Sequence, residues 1–258
     1  MLYEKELHFA RSVAMHAGEL ALGHQVRGLQ PESKADLTPV TIADRECEQL
    51  IASRIEAAFP DDGILGEEGS SKASRNGRRW IIDPIDGTKD FIRGLPLWAT
   101  LIGFEVDGTV VAGVAGMPAR QEQYSAIAGG GAWRNDHRIA ISNITSPASA
   151  VACINGVNRV RELPFAADFL EWSSQFWAVR SFGGCLDAVL LASGFVDLWI
   201  EPYAQAWDLA PLKIIFDEVG VRFCNFDGGS SIYGGNGIAF VPALEPAVRS
   251  LLGSAARA

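Results

Sequence analysis

The sequence lacks both the long hydrophobic run of a membrane protein and the apolar leader of a secreted one. No apolar stretch approaches the roughly 20 residues that a membrane-spanning helix needs. The first residues, MLYEKELHFARS, alternate charges where a signal peptide would have an apolar segment. We therefore expect a protein that has no membrane partner and that stays in the cytoplasm.

Cysteine is scarce as well. The chain has four cysteines, Cys47, Cys153, Cys185 and Cys224, with no C-x-x-C pair and no histidine close by in the sequence. Neither zinc-binding spacing nor a disulfide framework is visible in this pattern. We expect buried, reduced cysteines with a structural role.

Positive charge is in deficit. The chain carries 22 Lys and Arg residues against 31 Asp and Glu residues, which gives a net charge of −9 and a pI near 5.0. This balance opposes capture by the phosphate backbone of nucleic acid or by an anionic membrane, so neither is an expected partner. An anionic substrate would need a local source of positive charge, and a bound metal ion can supply it.

The composition is otherwise that of a globular protein, with 48% hydrophobic and 21% charged residues among 258. Helical periodicity predicts a helix over residues 4–27 and a second over residues 42–59, in which apolar residues recur at helical spacing: Ile42, Cys47, Leu50, Ile51, Ile55 and Ala58. Short strands follow, with Asp107-Gly108 as a hairpin turn, and strands then alternate with helices from Pro147 onward. We predict one layered α/β or α+β domain with two closely packed lobes, about residues 1–140 and 145–258.

The most informative segment is WIIDPIDGTK, residues 80–89. A buried strand delivers Asp83 at its end, where Pro84 is expected to stop the strand, and Asp86 follows on the same turn. The carboxylates can hold hard cations, and the backbone N–H groups of Gly87 and Thr88, at the start of a short helical turn, can receive phosphate oxygens. The alternative is that the two aspartates only cap the turn.

Two further carboxylate positions lie beside hydrophobic segments. Glu67-Glu68 follows the strand-like GILG, and Asp208 follows Trp207 at the start of a helix. Unpaired charge is costly in a protein interior, so convergence of these groups on metal ions would relieve a cost that separate burial would not.

Four motifs in order resemble the inositol monophosphatase family of magnesium-dependent, lithium-sensitive phosphatases. They are K-x-D-L-T-P-V-T-I-A-D (residues 34–44), G-E-E-G (66–69), W-I-I-D-P-I-D-G-T-K (80–89) and W-D-L-A (207–210). The resemblance covers nearly the whole chain. It implies a single catalytic domain whose helices and sheets are layered in α-β-α-β-α order.

The resemblance also implies roles for individual residues. Two or three Mg²⁺ ions, which Mn²⁺ can replace, would act as cofactors. The first would be held by Glu67, Asp83 and the backbone carbonyl of Ile85, and the second by Asp83, Asp86 and Asp208. Asp44 and Thr88 match the pair that orients and deprotonates the attacking water, and Glu67 joins them in the catalytic set. Glu68 would support the site without binding an ion.

The substrate side of the site is implied more loosely. Glu201 lies where family members contact substrate hydroxyl or amine groups, and Asp86 is a second candidate contact. The segment RSFGGCLD, residues 180–187, normally lines the substrate pocket, which makes Gly184, Cys185 and Asp187 candidates. Asp187 would serve an amine of the substrate or, equally, face solvent from its helix.

The implied chemistry is attack on phosphorus by a water whose pKa a metal ion lowers, while another metal ion stabilises the leaving alkoxide. No cysteine, serine or histidine nucleophile is required. Lys89 and the run Trp98-Ala99-Thr100 look most like the histidinol-phosphate phosphatase branch. The alternatives are an inositol-1-phosphate phosphatase, then a 3′(2′),5′-bisphosphate nucleotidase, and last a non-catalytic metal-binding protein.

A second copy of the chain is the expected protein partner, in a homodimer. Trp133, Trp172 and Trp199 are candidates for the core or for that interface, and the sequence leaves the choice between the two open.

Overall fold

The computed structural model describes residues 2–28, 31–34 and 39–255, and helices and strands account for most of them. Within these ranges the helices are α1 (Glu4–Arg27), α2 (Ile42–Ala58), α3 (Thr88–Ile92), α4 (Ala166–Ser173), α5 (Gly184–Ala192), α6 (Ala206–Val219) and α7 (Glu245–Ala255). The strands are β1 (Glu32–Ser33), β2 (Pro39–Val40), β3 (Gly63–Gly66), β4 (Ser71–Lys72), β5 (Arg78–Asp86), β6 (Ala99–Val106), β7 (Thr109–Met117), β8 (Glu122–Ile127), β9 (Gly131–Arg134), β10 (His137–Arg138), β11 (Val151–Ile154), β12 (Ala178–Arg180), β13 (Leu198–Glu201), β14 (Arg222–Cys224) and β15 (Gly237–Phe240).

The first half of the chain forms an eight-stranded sheet in the order β10-β9-β8-β7-β6-β5-β3-β4. Neighbouring strands are antiparallel, except that β3 and β5 run parallel. The ends of β3 and β5 that carry the Glu67 and Asp83 segments therefore lie at the same edge of the sheet.

Alternate side chains of this sheet enter two different cores, as period-two strands require. Trp80 and Ile82 pack with α1 and α2 in one core, whereas Ile81 packs in the other core with α6. The central strands β5 and β6 are buried on both faces over most of their length, which explains why they read as nearly continuous apolar runs.

Two glycines let α6 approach the sheet closely. A Cβ at Gly103 would lie 2.6 Å from the Cβ of Ala210, and a Cβ at Gly113 would lie 2.7 Å from the Cα of Pro211. Any larger residue would push the helix away, so these positions of β6 and β7 fix the depth at which α6 sits. Because α6 begins at the site described below, they also help to place Asp208.

The second half of the chain forms a five-stranded mixed sheet in the order β12-β11-β13-β15-β14. Helices α5 and α6 contact each other and lie between the two sheets, where α5 contacts β13 and α6 contacts β14. Helices α4 and α7 contact each other in an outer layer, and the indole of Trp172 donates a hydrogen bond to the carbonyl of Ala247. The result is the predicted α-β-α-β-α order, with the division between the sheets falling in residues 139–150.

The helix predicted over residues 42–59 is present as α2, but the apolar residues at its two ends do not lie on its buried face. Ile42 is 48% exposed and Ala58 is exposed as well. The buried stripe instead contains Ala43, Asp44, Cys47, Glu48, Ile51 and Ile55. The helix is rotated so that two carboxylates face inward, a pattern that hydrophobic periodicity cannot reveal because it treats charged residues as external.

Several other elements differ from the sequence-based expectation. Strand β5 does not stop at Pro84 but continues to Asp86, and the short strands β4, β9 and β10 were not predicted. Three of the cysteines are buried, Cys224 is partly buried, and all four are free. Trp172 and Trp199 belong to the core, while Trp133 is 38% exposed. Among the residues that the structure describes, no helix is long and apolar enough to cross a membrane.

Candidate active site

A bulge in β5 places two of the candidate carboxylates. Asp83 pairs with Leu101 and Asp86 with Ala99, so three steps along β5 match two steps along β6. Pro84 occupies the bulge, where its lack of an N–H costs no ladder hydrogen bond, and its carbonyl accepts from the Thr100 hydroxyl at 2.9 Å. The extra residue turns the strand and brings Asp83 and Asp86 toward a common point.

The third carboxylate of this group comes from the first turn of α6. Asp208 accepts a hydrogen bond from the backbone N–H of Gln205 at 2.6 Å, which caps the helix. Asp83 likewise accepts from the N–H of Ile85 at 3.0 Å, so each of these two carboxylates satisfies a nearby backbone N–H group. Oxygen atoms of Asp83, Asp86 and Asp208 nevertheless all lie within 4.8 Å of one another. Capping alone does not explain this convergence.

The three carboxylates are placed where negative charge is unfavourable. Burial raises the pKa of Asp86 to about 6 and that of Asp208 to about 7, and nearby carboxylates add to the increase. Burial, followed by the charges of Glu67, Asp86 and Asp208, raises the pKa of Asp83 well above its usual value. Among the described residues no Lys or Arg pairs with any of the three. An all-oxygen, anionic donor set of this kind fits a hard divalent cation.

Glu67 joins this group from the turn after β3. Its charge is among the causes of the raised pKa values of Asp83, Asp86 and Asp208, and it lines the same cavity as Asp86. Its N–H donates to the carbonyl of Ile82 on the neighbouring strand at 3.1 Å. The parallel pairing of β3 and β5 therefore carries Glu67 to the same edge as the three aspartates.

Lys34 is a site residue to which the sequence analysis gave no role. Its ammonium group donates to Glu67 at 2.8 Å and to Glu68 at 2.6 Å. Burial lowers the pKa of Lys34, but the hydrogen bonds to the two glutamates outweigh burial and raise it, so this cation stays charged. Lys34 opens the first of the four motifs, which was the available signal, and residues 35–38 of that motif lie outside the described part of the chain.

Asp44 and Thr88 meet across the site. The Thr88 hydroxyl lies 3.3 Å from Oδ1 of Asp44 and 3.3 Å from the carbonyl oxygen of Ile85. Oδ2 of Asp44 accepts from the backbone N–H of Thr41 at 2.8 Å and from its hydroxyl at 2.6 Å, which forms the cap of α2. Burial raises the pKa of Asp44 despite these hydrogen bonds from Thr41, so the carboxyl is poised to take up a proton.

A cavity of about 620 Å³ opens beside these residues. Its wall includes Glu67, Asp86, Gly87 and Thr88 on one side and the segment 181–184 on another. Gly87 has a φ of 84°, which favours glycine, and it is followed directly by α3. A ligand in the cavity would reach the carboxylate group and the start of α3 together.

Glu201 lies at the end of β13 and faces the same cavity. It is 6% exposed, and Oε2 accepts from the side-chain amide of Asn155 at 2.7 Å. Burial raises its pKa well above the usual value despite the Asn155 bond, and the charges of Asp86 and Asp208 contribute. A cationic or hydrogen-donating group in the cavity would relieve this unfavourable charge.

Residues 181–184 of the segment 180–187 line the cavity, and Gly184 and Cys185 contact Asp86. The N–H of Cys185 donates to Oδ2 of Asp86 at 3.1 Å, while the Cys185 side chain is only 2% exposed. Gly184 approaches Asp86 closely, since a Cβ there would lie 3.1 Å from Oδ2. This part of the wall therefore holds Asp86 in place.

The expectation that Asp187 faces solvent was wrong, and its position in the structure does not favour a contact with the substrate. The residue is 0% exposed, so it does not face solvent, and it is not part of the cavity wall. Its carboxylate turns back on its own loop, where it accepts from the N–H groups of Phe182 at 3.1 Å and Gly183 at 3.2 Å. Local hydrogen bonding of this kind competes with any distant contact and fixes the loop that lines the cavity.

Comparison with known proteins identifies the family to which the chain belongs. A model of the inositol monophosphatase family matches residues 2–255. The chain belongs to this family. Histidinol-phosphatases of Mycobacterium tuberculosis and Chlorobaculum parvum are 36% and 38% identical to it, over 91% and 90% of this chain and 92% and 90% of theirs.

Other members of the family are similar over almost the same length. An inositol-1-monophosphatase of Mesorhizobium japonicum is 31% identical over 90% of this chain and 86% of its own. The solved structure of an IMPase from Thermotoga maritima superposes with a TM-score of 0.88 at 29% identity and covers 98% of each chain. The predicted family and fold are confirmed, and the chain is a phosphoric monoester hydrolase of the inositol monophosphatase family.

Proposed function

We propose that this enzyme is a divalent-metal-dependent phosphomonoesterase whose preferred substrate is histidinol phosphate, with Mg²⁺ as the natural ion and Mn²⁺ as a substitute. The observation that carries the proposal is the convergence of Asp83, Asp86 and Asp208 beside a cavity in which Glu201 is buried. The three aspartates fit a divalent cation, and Glu201 fits a cationic amine of the substrate. The naming of similar chains as histidinol-phosphatases supports the same choice.

Two ions would share these ligands. Glu67, Asp83 and the carbonyl of Ile85 would hold one, and Asp83, Asp86 and Asp208 the other, with a third ion as an allowed addition. When bound, the ions neutralise phosphate charge, lower the pKa of the attacking water and stabilise the leaving oxygen. They would also satisfy the need for positive charge in a chain of net charge −9.

Side chains of the protein would accept the proton that the attacking water loses. The Thr88 hydroxyl, 3.3 Å from Oδ1 of Asp44, donates toward that carboxylate and so leaves its own lone pairs free to orient a water by accepting its proton. Asp44 is the final acceptor, and its raised pKa favours that role. Thr41 keeps Oδ2 of Asp44 occupied, which leaves Oδ1 for the reaction.

The phosphate would lie against the start of α3, where the N–H groups of Gly87 and Thr88 supply donors. Gly87 has a φ of 84°, a backbone conformation that favours glycine, and this turn would aim the two N–H groups at the phosphate. Asp86, which the N–H of Cys185 holds in place, would contact both an ion and the substrate.

The leaving group would be recognised at Glu201. Its carboxylate, which accepts hydrogen bonds from Asn155 and from the backbone of Tyr203, would pair with a protonated amine, and pairing with a cation lowers the energy of a carboxylate that burial and two neighbouring aspartates disfavour. An inositol ring offers only hydroxyl groups to the same carboxylate. Inositol 1-phosphate is the second candidate because family members with that activity are also similar, and a bisphosphate nucleotide is the third.

Oligomeric state and location complete the proposal. A homodimer that acts on a small metabolite in the cytoplasm agrees with the acidic charge balance and with the exposed Trp133, and sedimentation at several concentrations would test the dimer.

The choice of substrate is tested by comparing kcat/KM for four esters. L-histidinol phosphate, myo-inositol 1-phosphate, fructose 1,6-bisphosphate and adenosine 3′,5′-bisphosphate share the ester and differ in the group presented to Glu201. We expect histidinol phosphate to give the highest value. A lead of tenfold or more for inositol 1-phosphate would contradict the proposed substrate and favour the second candidate.

Replacement of Glu201 should change substrate preference more than chemistry. In Glu201→Gln the cation loses its charged partner, so we expect kcat/KM for histidinol phosphate to fall by about 10- to 100-fold and that for inositol 1-phosphate to fall much less. Glu171→Gln, a change at an exposed position of α4, is the control and should behave as wild type. Equal losses for both substrates would show that Glu201 does not select the amine.

A further inference from the structure

Glu48 is a buried carboxylate that has no role in the chemistry described above. It lies on α2 one turn after Asp44, so the two carboxylates share one face of the helix, and they are 1% and 0% exposed. Among the described residues no Lys, Arg or His forms an ion pair with Glu48. A buried anion without a cationic partner is costly unless hydrogen bonds compensate for it.

The hydrogen bonds of Glu48 go to the turn that carries Glu67. Oε2 accepts from the N–H of Glu68 at 2.8 Å, and Oε1 accepts from the N–H of Ser70 at 2.7 Å. The same turn is closed by the N–H of Gly66, which donates to the carbonyl of Ser70 at 2.8 Å. The two oxygens of the Glu48 carboxylate thus bind the backbone of the residues that directly follow Glu67.

The contact between Glu48 and this turn requires glycine at position 66. A Cβ at Gly66 would lie 2.5 Å from Oε2 of Glu48 and 2.8 Å from Oε1, closer than atoms can approach. The carboxylate therefore packs against the Cα of Gly66, and the turn from Gly66 to Ser70 wraps around it. The requirement for glycine here follows from the packing and not from the backbone angles.

We propose that Glu48 is a positioning residue that sets the place of Glu67 relative to Asp83, Asp86 and Asp208, and thereby the affinity of the site for a divalent cation. Helix α2 carries Asp44 at one turn and Glu48 at the next, so a single rigid element places both the proton acceptor and the turn that bears Glu67. Residues that orient metal ligands in this way typically contribute about 10- to 100-fold to metal affinity. The inference rests on the proposed metal site.

The test is the Mg²⁺ and Mn²⁺ affinity of the metal-free enzyme, measured by titration calorimetry at a temperature well below unfolding. Glu48→Gln keeps the shape but faces one backbone N–H with an amide N–H₂, so we expect affinity to fall about tenfold or more. Glu56→Gln, an exposed change on the same helix, is the matched control and should bind metal as wild type does. Unchanged affinity in Glu48→Gln would overturn the proposal.

A second variant covers the case in which Glu48→Gln does not fold. Gly66→Ala places a Cβ against the Glu48 carboxylate, so it should lower metal affinity as Glu48→Gln does. In Glu48→Ala the carboxylate is absent and the Cβ has space. Gly66→Ala should therefore lower metal affinity less in Glu48→Ala than in the wild type. Additive losses of affinity in this cycle would contradict the contact. Because these readouts need no substrate, wild-type enzyme that binds metal but fails to hydrolyse the esters would refute the proposed function and leave this test valid.

Discussion

Removal of divalent metal is expected to abolish turnover. Enzyme treated with a chelator and transferred to metal-free buffer should release phosphate at less than about 1% of the original rate, because water without a metal ion has far too high a pKa to attack near neutral pH. Addition of Mg²⁺, and then separately of Mn²⁺, should restore the rate. Phosphate release from histidinol phosphate is the measurement.

The structure makes the chelator experiment specific. Asp83, Asp86 and Asp208 lie in a buried group without a cationic partner among the described residues, so nothing else in that group supplies positive charge to a phosphate. Lys34, which does lie nearby, is already engaged by Glu67 and Glu68. Addition of Na⁺ at matched ionic strength is the control, and undiminished turnover in metal-free buffer would contradict the proposed mechanism.

Asp83→Asn is expected to lower kcat by about 1,000-fold or more, because it weakens a ligand that the proposal assigns to both ions. The substitution preserves shape, and the asparagine oxygen can still accept from the N–H of Ile85. It also removes one charge from a group in which each carboxylate raises the pKa of the others, so the metal-free fold should be no less stable than wild type.

The pair of measurements separates catalysis from folding. Thermal unfolding of metal-free Asp83→Asn should occur at or above the wild-type temperature, while its kcat is lost. Asp136→Asn, an exposed turn position, is the control and should retain both properties. Near-normal kcat in Asp83→Asn with its ions bound would show that the shared ligand is assigned wrongly.

The sequence was most informative where function overrides ordinary patterning. The aspartates of WIIDPIDG follow apolar strands where turn residues are expected, and this conflict led directly to the carboxylate group that the structure brings together. Glu67 and Asp208 lie far from these aspartates along the chain, and the cost of burying charge indicated that they converge. Asp44 was added to the group only by the resemblance. The proximity of these residues comes from the parallel pairing of β3 and β5 and from the depth of α6.

What the sequence did not reveal depends on long-range packing or on competition between local hydrogen bonds. Ile42 fits a hydrophobic stripe but is exposed, because Asp44 and Glu48 take the inner face of α2. Pro84 ordinarily ends a strand, yet a bulge lets β5 continue through it. Two environments were expected for Asp187, and hydrogen bonds from backbone N–H groups four and five residues away provide a third.

The late position of α6 in the chain has a consequence for biosynthesis. The face of the first sheet that α6 covers is complete once β10 has emerged from the ribosome, whereas α6 itself ends at Val219, roughly 80 residues later. At synthesis rates of about 5–20 residues per second, that face of the sheet remains without α6 for a time on the order of ten seconds. During this interval the strands around Gly103 and Gly113 present an apolar surface to solvent, so we expect the nascent chain to pass through a chaperone-sensitive stage that the finished enzyme does not display.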